Sequence, residues 1–97
     1  MILHTLNAAP EQGVFQQCLG QLGTTDALLL MGNGVYAALD GSPAATRLLA
    51  TGATLYVLQD DARAAGVLPR LCPGVKAVDY ATFVELTEQF PRQLAWY

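Results

Sequence analysis

Residues 26 to 40 read DALLLMGNGVYAALD. Leu28-Leu29-Leu30-Met31 is an unbroken apolar run of strand length, the pattern of a strand buried on both faces. Gly32-Asn33-Gly34 then turns the chain, and Val35 to Leu39 opens a helical stretch. In α/β proteins such a strand-glycine-helix junction is a common place to hold phosphate. The two best-known versions are absent. A dinucleotide fingerprint needs Gly-x-Gly-x-x-Gly, and a P-loop needs Lys-Ser/Thr after its glycines. Two glycines around a residue that tolerates left-handed backbone describe a tight turn equally well. The turn is the favoured reading, and a small anion or nucleotide site is the alternative.

Outward from this stretch, apolar patterning alternates between strand and helix. Toward the N-terminus, Ile2-Leu3-His4-Thr5-Leu6 reads as a strand closed by Asn7 and Pro10. From Glu11 the period changes. Val14, Phe15, Cys18, Leu19 and Leu22 share one helix face, with Gly23 as the stop. Toward the C-terminus, Asp40-Gly41 interrupts the stretch that began at Val35. Ser42 is an N-cap signal with Pro43 at the first helical position, for a helix through Leu48 and Leu49. Leu55 to Leu58 is a third strand. Asp60 is the expected cap of a short helix ending at Ala65 and Gly66. Val75 to Val78 is a fourth strand after the Pro73-Gly74 turn. Asp79 caps a helix carrying Phe83, Val84, Leu86 and Phe90, which Pro91 ends, and Gln93 to Tyr97 forms a last short strand. The order β-α-β-α-β-α-β-α-β predicts one α/β domain over residues 1–97, with a mostly parallel sheet of about five strands and helices on both faces.

Composition narrows the function. The chain has 97 residues, 53% of them hydrophobic and 13% charged, which excludes disorder and implies a filled core with apolar surface left for a partner chain. The net charge is −3, and the five basic residues, Arg47, Arg63, Arg70, Lys76 and Arg92, are scattered. Direct nucleic-acid binding needs clustered cations, so none is expected. No run approaches the roughly 20 apolar residues that span a bilayer. The opening MILHTLNAAP lacks a basic n-region and a long h-region, so it reads as the first strand of a cytoplasmic protein rather than a signal peptide.

The residues capable of chemistry are few. Cys18 and Cys72 are 54 positions apart, which fits neither a redox pair nor a metal cluster; with a single His, no metal or cofactor is expected. Cys18 on the helix stripe is either a small packed hydrophobe or a sulfur carrier, which would need an accessible thiol of lowered pKa. Cys72 lies in a loop before Pro73-Gly74 and is expected to be exposed. It sits at the amino end of a strand, the wrong edge for a site in an open sheet. His4 reads as a hydrogen-bonded core or interface residue. Asp60-Asp61, Glu85 and Glu88 read as helix-cap or solvated carboxylates. The closing FPRQLAWY ends on Trp96-Tyr97, which must bury against its own sheet edge or another subunit.

Taken in order, LHTLN with a Pro soon after, DALLLMGNGVYAAL, YVLQDDARAAGV, VDYATFVELT and QLAW resemble the TusB/DsrH family of DsrE-type sulfur-relay subunits across nearly the whole chain. The resemblance implies a small α/β subunit that assembles with TusC-like and TusD-like subunits into a heterohexamer with two copies of each. That complex takes persulfide sulfur from a TusA-like carrier and passes it to a TusE-like acceptor, toward 2-thiolation of the tRNA wobble uridine. The essential cysteine is then on the TusD-like subunit and the TusB-like subunit is mainly structural. The DsrH branch, which serves sulfur oxidation, carries a cysteine in its first helix, and Cys18 in QQCLGQL falls at the matching place. Cys18 is therefore the candidate sulfur carrier. The turn after the second strand commonly has Asp-Gly in the family, where this chain has Asn33-Gly34. Cys72 matches no family motif.

Overall fold

The computed structural model describes residues Met1–Tyr97. Five strands, β1 (Ile2–Leu6), β2 (Ala27–Leu30), β3 (Thr54–Leu58), β4 (Val75–Val78) and β5 (Arg92–Trp96), form one wholly parallel sheet in the order β4-β3-β2-β1-β5. Four α-helices connect them: α1 (Gly13–Gln21), α2 (Pro43–Ala50), α3 (Gln59–Ala64) and α4 (Tyr80–Gln89). From β1 to β4 the chain steps in one direction. The last connection recrosses the sheet to place β5 on the far side of β1.

Right-handed crossovers turn that reversal into two different faces. Phe15 and Cys18 of α1, Ala44, Ala45 and Leu48 of α2 and Ala62 of α3 bury against Leu6, Leu28, Leu30, Leu55 and Val57. Only α4 covers the other face, with Leu86 against Leu3, Ala27, Leu29, Leu58 and Val78. Helices on both faces were expected; their split, three to one, follows from the strand order. All four residues of β2 are buried, as its apolar run predicts for a central strand.

Local chemistry explains most boundaries. Ser42 caps α2, its hydroxyl accepting from the Ala45 N–H at 3.1 Å, and Asp79 caps α4, accepting from the Thr82 N–H at 2.8 Å. Other expectations need correction. The helical stretch expected from Val35 to Leu39 is a 3-10 helix over Gly32–Ala38, so it begins at the glycines themselves rather than after a separate turn. Asp60 is not a cap: α3 begins at Gln59, Leu58 precedes it without a side-chain cap, and both aspartates lie in its first turn. Gly23 is not a left-handed stop, because Leu22 leaves α1 in extended conformation and the Gly23 N–H is held by the Asp26 carboxylate at 2.9 Å. Cys72 is buried, 3% exposed, because its N–H bonds Ala38 O at 2.8 Å beside the Leu39–Leu71 bridge, which ties the loop onto the core.

Candidate functional site

At the carboxyl edge of the sheet the Gly32-Asn33-Gly34 stretch lies against the end of β1. A Cβ on Gly34 would run into the Leu6 carbonyl, and one on Gly32, whose φ is +53°, would strike the Asn7 side chain. Gly34 is thus required by the approach of backbone, and Gly32 by its left-handed φ. The Gly32 N–H donates to Asp61 Oδ2 at 2.8 Å, so a carboxylate from α3 already occupies the amide that an anion would seek. This geometry favours the turn over the anion site.

Two shallow recesses meet at Asn33. One, of about 230 Å³, is lined by Gly32, Asn33, Tyr36, Asp61, Ala64 and Ala65. The other, of about 260 Å³, is lined by Asn7, Ala8, Ala9, Gln12, Asn33 and Tyr97. It lies where β1 and β5 adjoin and the chain direction across the sheet reverses, the usual place for a ligand in an open parallel sheet. Its lining offers three amides and a phenol, with no cation, no thiol and no base. Such a surface can exchange neutral hydrogen bonds, but it cannot activate a nucleophile or neutralise a phosphate. No group of three or more His, Cys, Asp or Glu side chains is placed to hold a metal.

The thiols lie elsewhere. Cys18 points from α1 into the three-helix core with no exposed surface, and burial pushes its thiol up to about 12. At neutral pH it is a protonated, packed group. Burial likewise raises the Cys72 thiol, and the Asp40 charge adds to the effect. Both are free, and neither lines the carboxyl-edge recesses.

The most connected polar group is Asp26, just before β2. Its Oδ1 accepts the Ile2 N–H at 2.9 Å; its Oδ2 accepts the Gly23 N–H at 2.9 Å and lies 3.2 Å from His4 Nε2. On the other side of the His4 ring, Trp96 Nε1 donates to Nδ1 at 3.1 Å. Indole can only donate, so His4 Nδ1 accepts and Nε2 carries the proton toward Asp26. A His–Asp pair usually suggests a general base. Here the indole takes the nitrogen a nucleophile would need, and the cluster instead ties β5, β1 and the entry to β2 together. The Gly23 N–H, ahead of the Ile2 and His4 bonds, holds the Asp26 carboxyl below the ordinary carboxylate range against the opposing effect of burial. His4 is thus the hydrogen-bonded core residue expected; Trp96 packs half-buried on its own sheet, but Tyr97, expected to bury with it, is 82% exposed because the chain runs past the end of β5 there. Asp26 was missed because its partners Ile2 and His4 lie 24 and 22 residues away, although an acidic residue directly before a wholly apolar strand was a signal. Asp60 pairs with Arg63 at 3.2 Å on the surface, and Glu85 and Glu88 are solvated on α4.

Strand order and reversal point define a small, wholly parallel five-stranded α/β domain. A family model described as DsrH like protein matches residues 9–93. A protein named TusB from Pectobacterium parmentieri is 41% identical, over 98% of this chain and all of its own length. One of the same name from Escherichia coli (strain K12 / DH10B) is 36% identical over the same shares. The chain belongs to the DsrH/TusB family. Among solved structures, the ychN protein of E. coli superposes with a TM-score of 0.77 over 97% of both chains; at 17% identity it shows the fold alone. Protein Tm0979 of Thermotoga maritima gives 0.70 at 26% identity, over 92% of this chain and 93% of its own. No helix is long and apolar enough to cross a membrane.

Proposed function

We propose that this chain is a mainly structural subunit of a sulfur-relay complex, assembling with TusC-like and TusD-like subunits as a heterohexamer and supporting 2-thiolation of the tRNA wobble uridine. Family membership supports the relay role. The observation that carries the structural role is the burial of both thiols. A persulfide relay needs a thiolate in line with the donor's outer sulfur, and Cys18, unexposed and held protonated, meets neither condition without local unfolding. Sulfur from a TusA-like donor then passes to a TusE-like acceptor through a cysteine of a partner subunit. The net charge of −3 and scattered cations support a subunit that does not itself grip the tRNA.

Co-expression with TusC-like and TusD-like proteins from the same source, read by native mass spectrometry, tests the assembly; a mixed complex containing this chain is expected. Within that complex Cys18→Ala should leave 2-thiouridine formation within twofold of the unmodified rate. A tenfold loss with the complex intact would make Cys18 the carrier instead. Unchanged 2-thiouridine in tRNA from cells lacking this chain would move the relay to sulfur oxidation.

A further inference from the structure

The two edges of the sheet differ in length and in where their single charge sits. On β4, the four-residue strand Val75–Val78 carries an exposed lysine, Lys76, at its second position and follows the Pro73-Gly74 turn. A short strand with a charge is a common defence against further pairing. On β5, which follows Pro91, the one charge is Arg92 at the first position, and the five residues Arg92–Trp96 have no internal proline and are exposed from Arg92 to Ala95, with Leu94 44% exposed. The strand is also held rigid. Trp96 is hydrogen-bonded to His4, and the Gln93 side chain donates to Thr87 O at 2.7 Å.

The direction of its backbone groups is fixed by the ladder. The Asn7 N–H donates to Trp96 O, so Trp96, Leu94 and Arg92 turn their backbone groups toward β1. Gln93 and Ala95 turn theirs outward, where the sheet ends. A two-fold axis through Leu94 brings these outward groups into register with those of an antiparallel second strand of the same sequence. Gln93 and Ala95 of each strand then exchange four hydrogen bonds with Ala95 and Gln93 of the other. At the three closely spaced, non-hydrogen-bonded pairs, Leu94 faces Leu94 once and Arg92 faces Trp96 twice. No like charges oppose each other. Arg92, which has no carboxylate partner in its own chain, meets an indole already fixed by His4, a favourable arrangement for a cation over a ring.

We propose that β5 is a self-complementary docking edge through which two copies of this chain pair antiparallel about Leu94, joining their sheets into one of ten strands. The inference does not depend on the sulfur-relay reading, and its test uses the isolated chain.

Sedimentation of the isolated chain across the micromolar range should show a reversible dimer. Ala95→Pro removes an outward N–H while leaving the β1 ladder untouched, and so deletes two of the four inter-chain bonds. It should weaken the dimer at least tenfold with an unchanged circular dichroism spectrum. Leu94→Lys, which sets two ammonium groups face to face, should do the same. Leu94→Cys supplies the positive test: two thiols at the axis should join as one disulfide when diamide is added as oxidant, while buried Cys18 and Cys72 remain reduced. A chain that stays monomeric would overturn the proposal. So would a dimer that neither Ala95→Pro nor Leu94→Lys weakens, or a β5 edge protected from hydrogen exchange only when a TusC-like or TusD-like chain is added.

Discussion

On one face of the sheet α1, the 3-10 segment, α2 and α3 bury a core of 18 residues that includes Phe15, Leu30, Val35 and Leu48. On the other, α4 alone covers six, leaving Met31, Tyr56, Phe83 and Phe90 half-buried and Tyr80 and Val84 exposed. Both faces use the same strands, so the difference comes from topology. Three connections run one way and one runs back. The three-helix face closes on itself and buries the larger core; the single-helix face and the neighbouring β5 edge leave Tyr80, Val84 and Leu94 exposed. Each thiol belongs to the closed face and is buried there.

The largest expected effect tests the closed face. Phe15 is fully buried on α1 beneath no solvent-facing gap. Phe15→Ala should cost about 3–5 kcal/mol, read from urea unfolding of the isolated chain. A loss below about 2 kcal/mol would mean that α1 repacks freely and the face is not the principal core.

Next comes the polar chain that fastens β5 to the closed face. Asp26→Asn keeps the volume but sets an amide against N–H donors, and should cost about 2–3 kcal/mol at neutral pH. The sign of its pH dependence is fixed. The folded carboxyl titrates below the ordinary value, so its contribution is present above about pH 4 and is lost as pH falls through the folded pKa. The stability gap between Asp26→Asn and the unmodified chain should therefore narrow in acid. A gap that stays constant as acid is added would show that the carboxylate charge contributes nothing to these bonds.

Much of this organisation is visible in the sequence because it rests on local patterns. The buried β2 run, the Ser42-Pro43 start of α2, and the Asp79 cap and Pro91 stop around α4 each need only neighbouring residues. What was hidden rests on distant partners. Asp61 bonds Gly32 across 29 residues, so that pair could not be told from a solvated helix-cap aspartate. Asp26 and Trp96 meet through His4, and His4 and Trp96 come from opposite ends of the chain. The burial of Cys72 depends on a backbone bond to Ala38, which no pattern around Pro73-Gly74 announces. The carboxyl-edge recess had the same obstacle. Asn33 stood in the most conspicuous stretch, but Asn7, Gln12 and Tyr97 reach it only after β1, β2 and β5 have paired.

The smallest effect is the one that sharpens the comparison most. Phe83 on α4 packs edge-on against Tyr80, with ring centroids 5.8 Å apart, and remains half-buried over the open face. Truncating it removes only the part of the ring already withdrawn from water, so Phe83→Ala should cost about 1–2 kcal/mol in the isolated chain, well under Phe15→Ala. The two residues have the same chemistry and each sits on a helix against the same sheet; only the number of helices beside them differs. If the costs came out equal, α4 would be closing its face as fully as three helices close the other. The apolar surface around Tyr80 and Val84 would then be ordinary exposed side chains with no partner to account for.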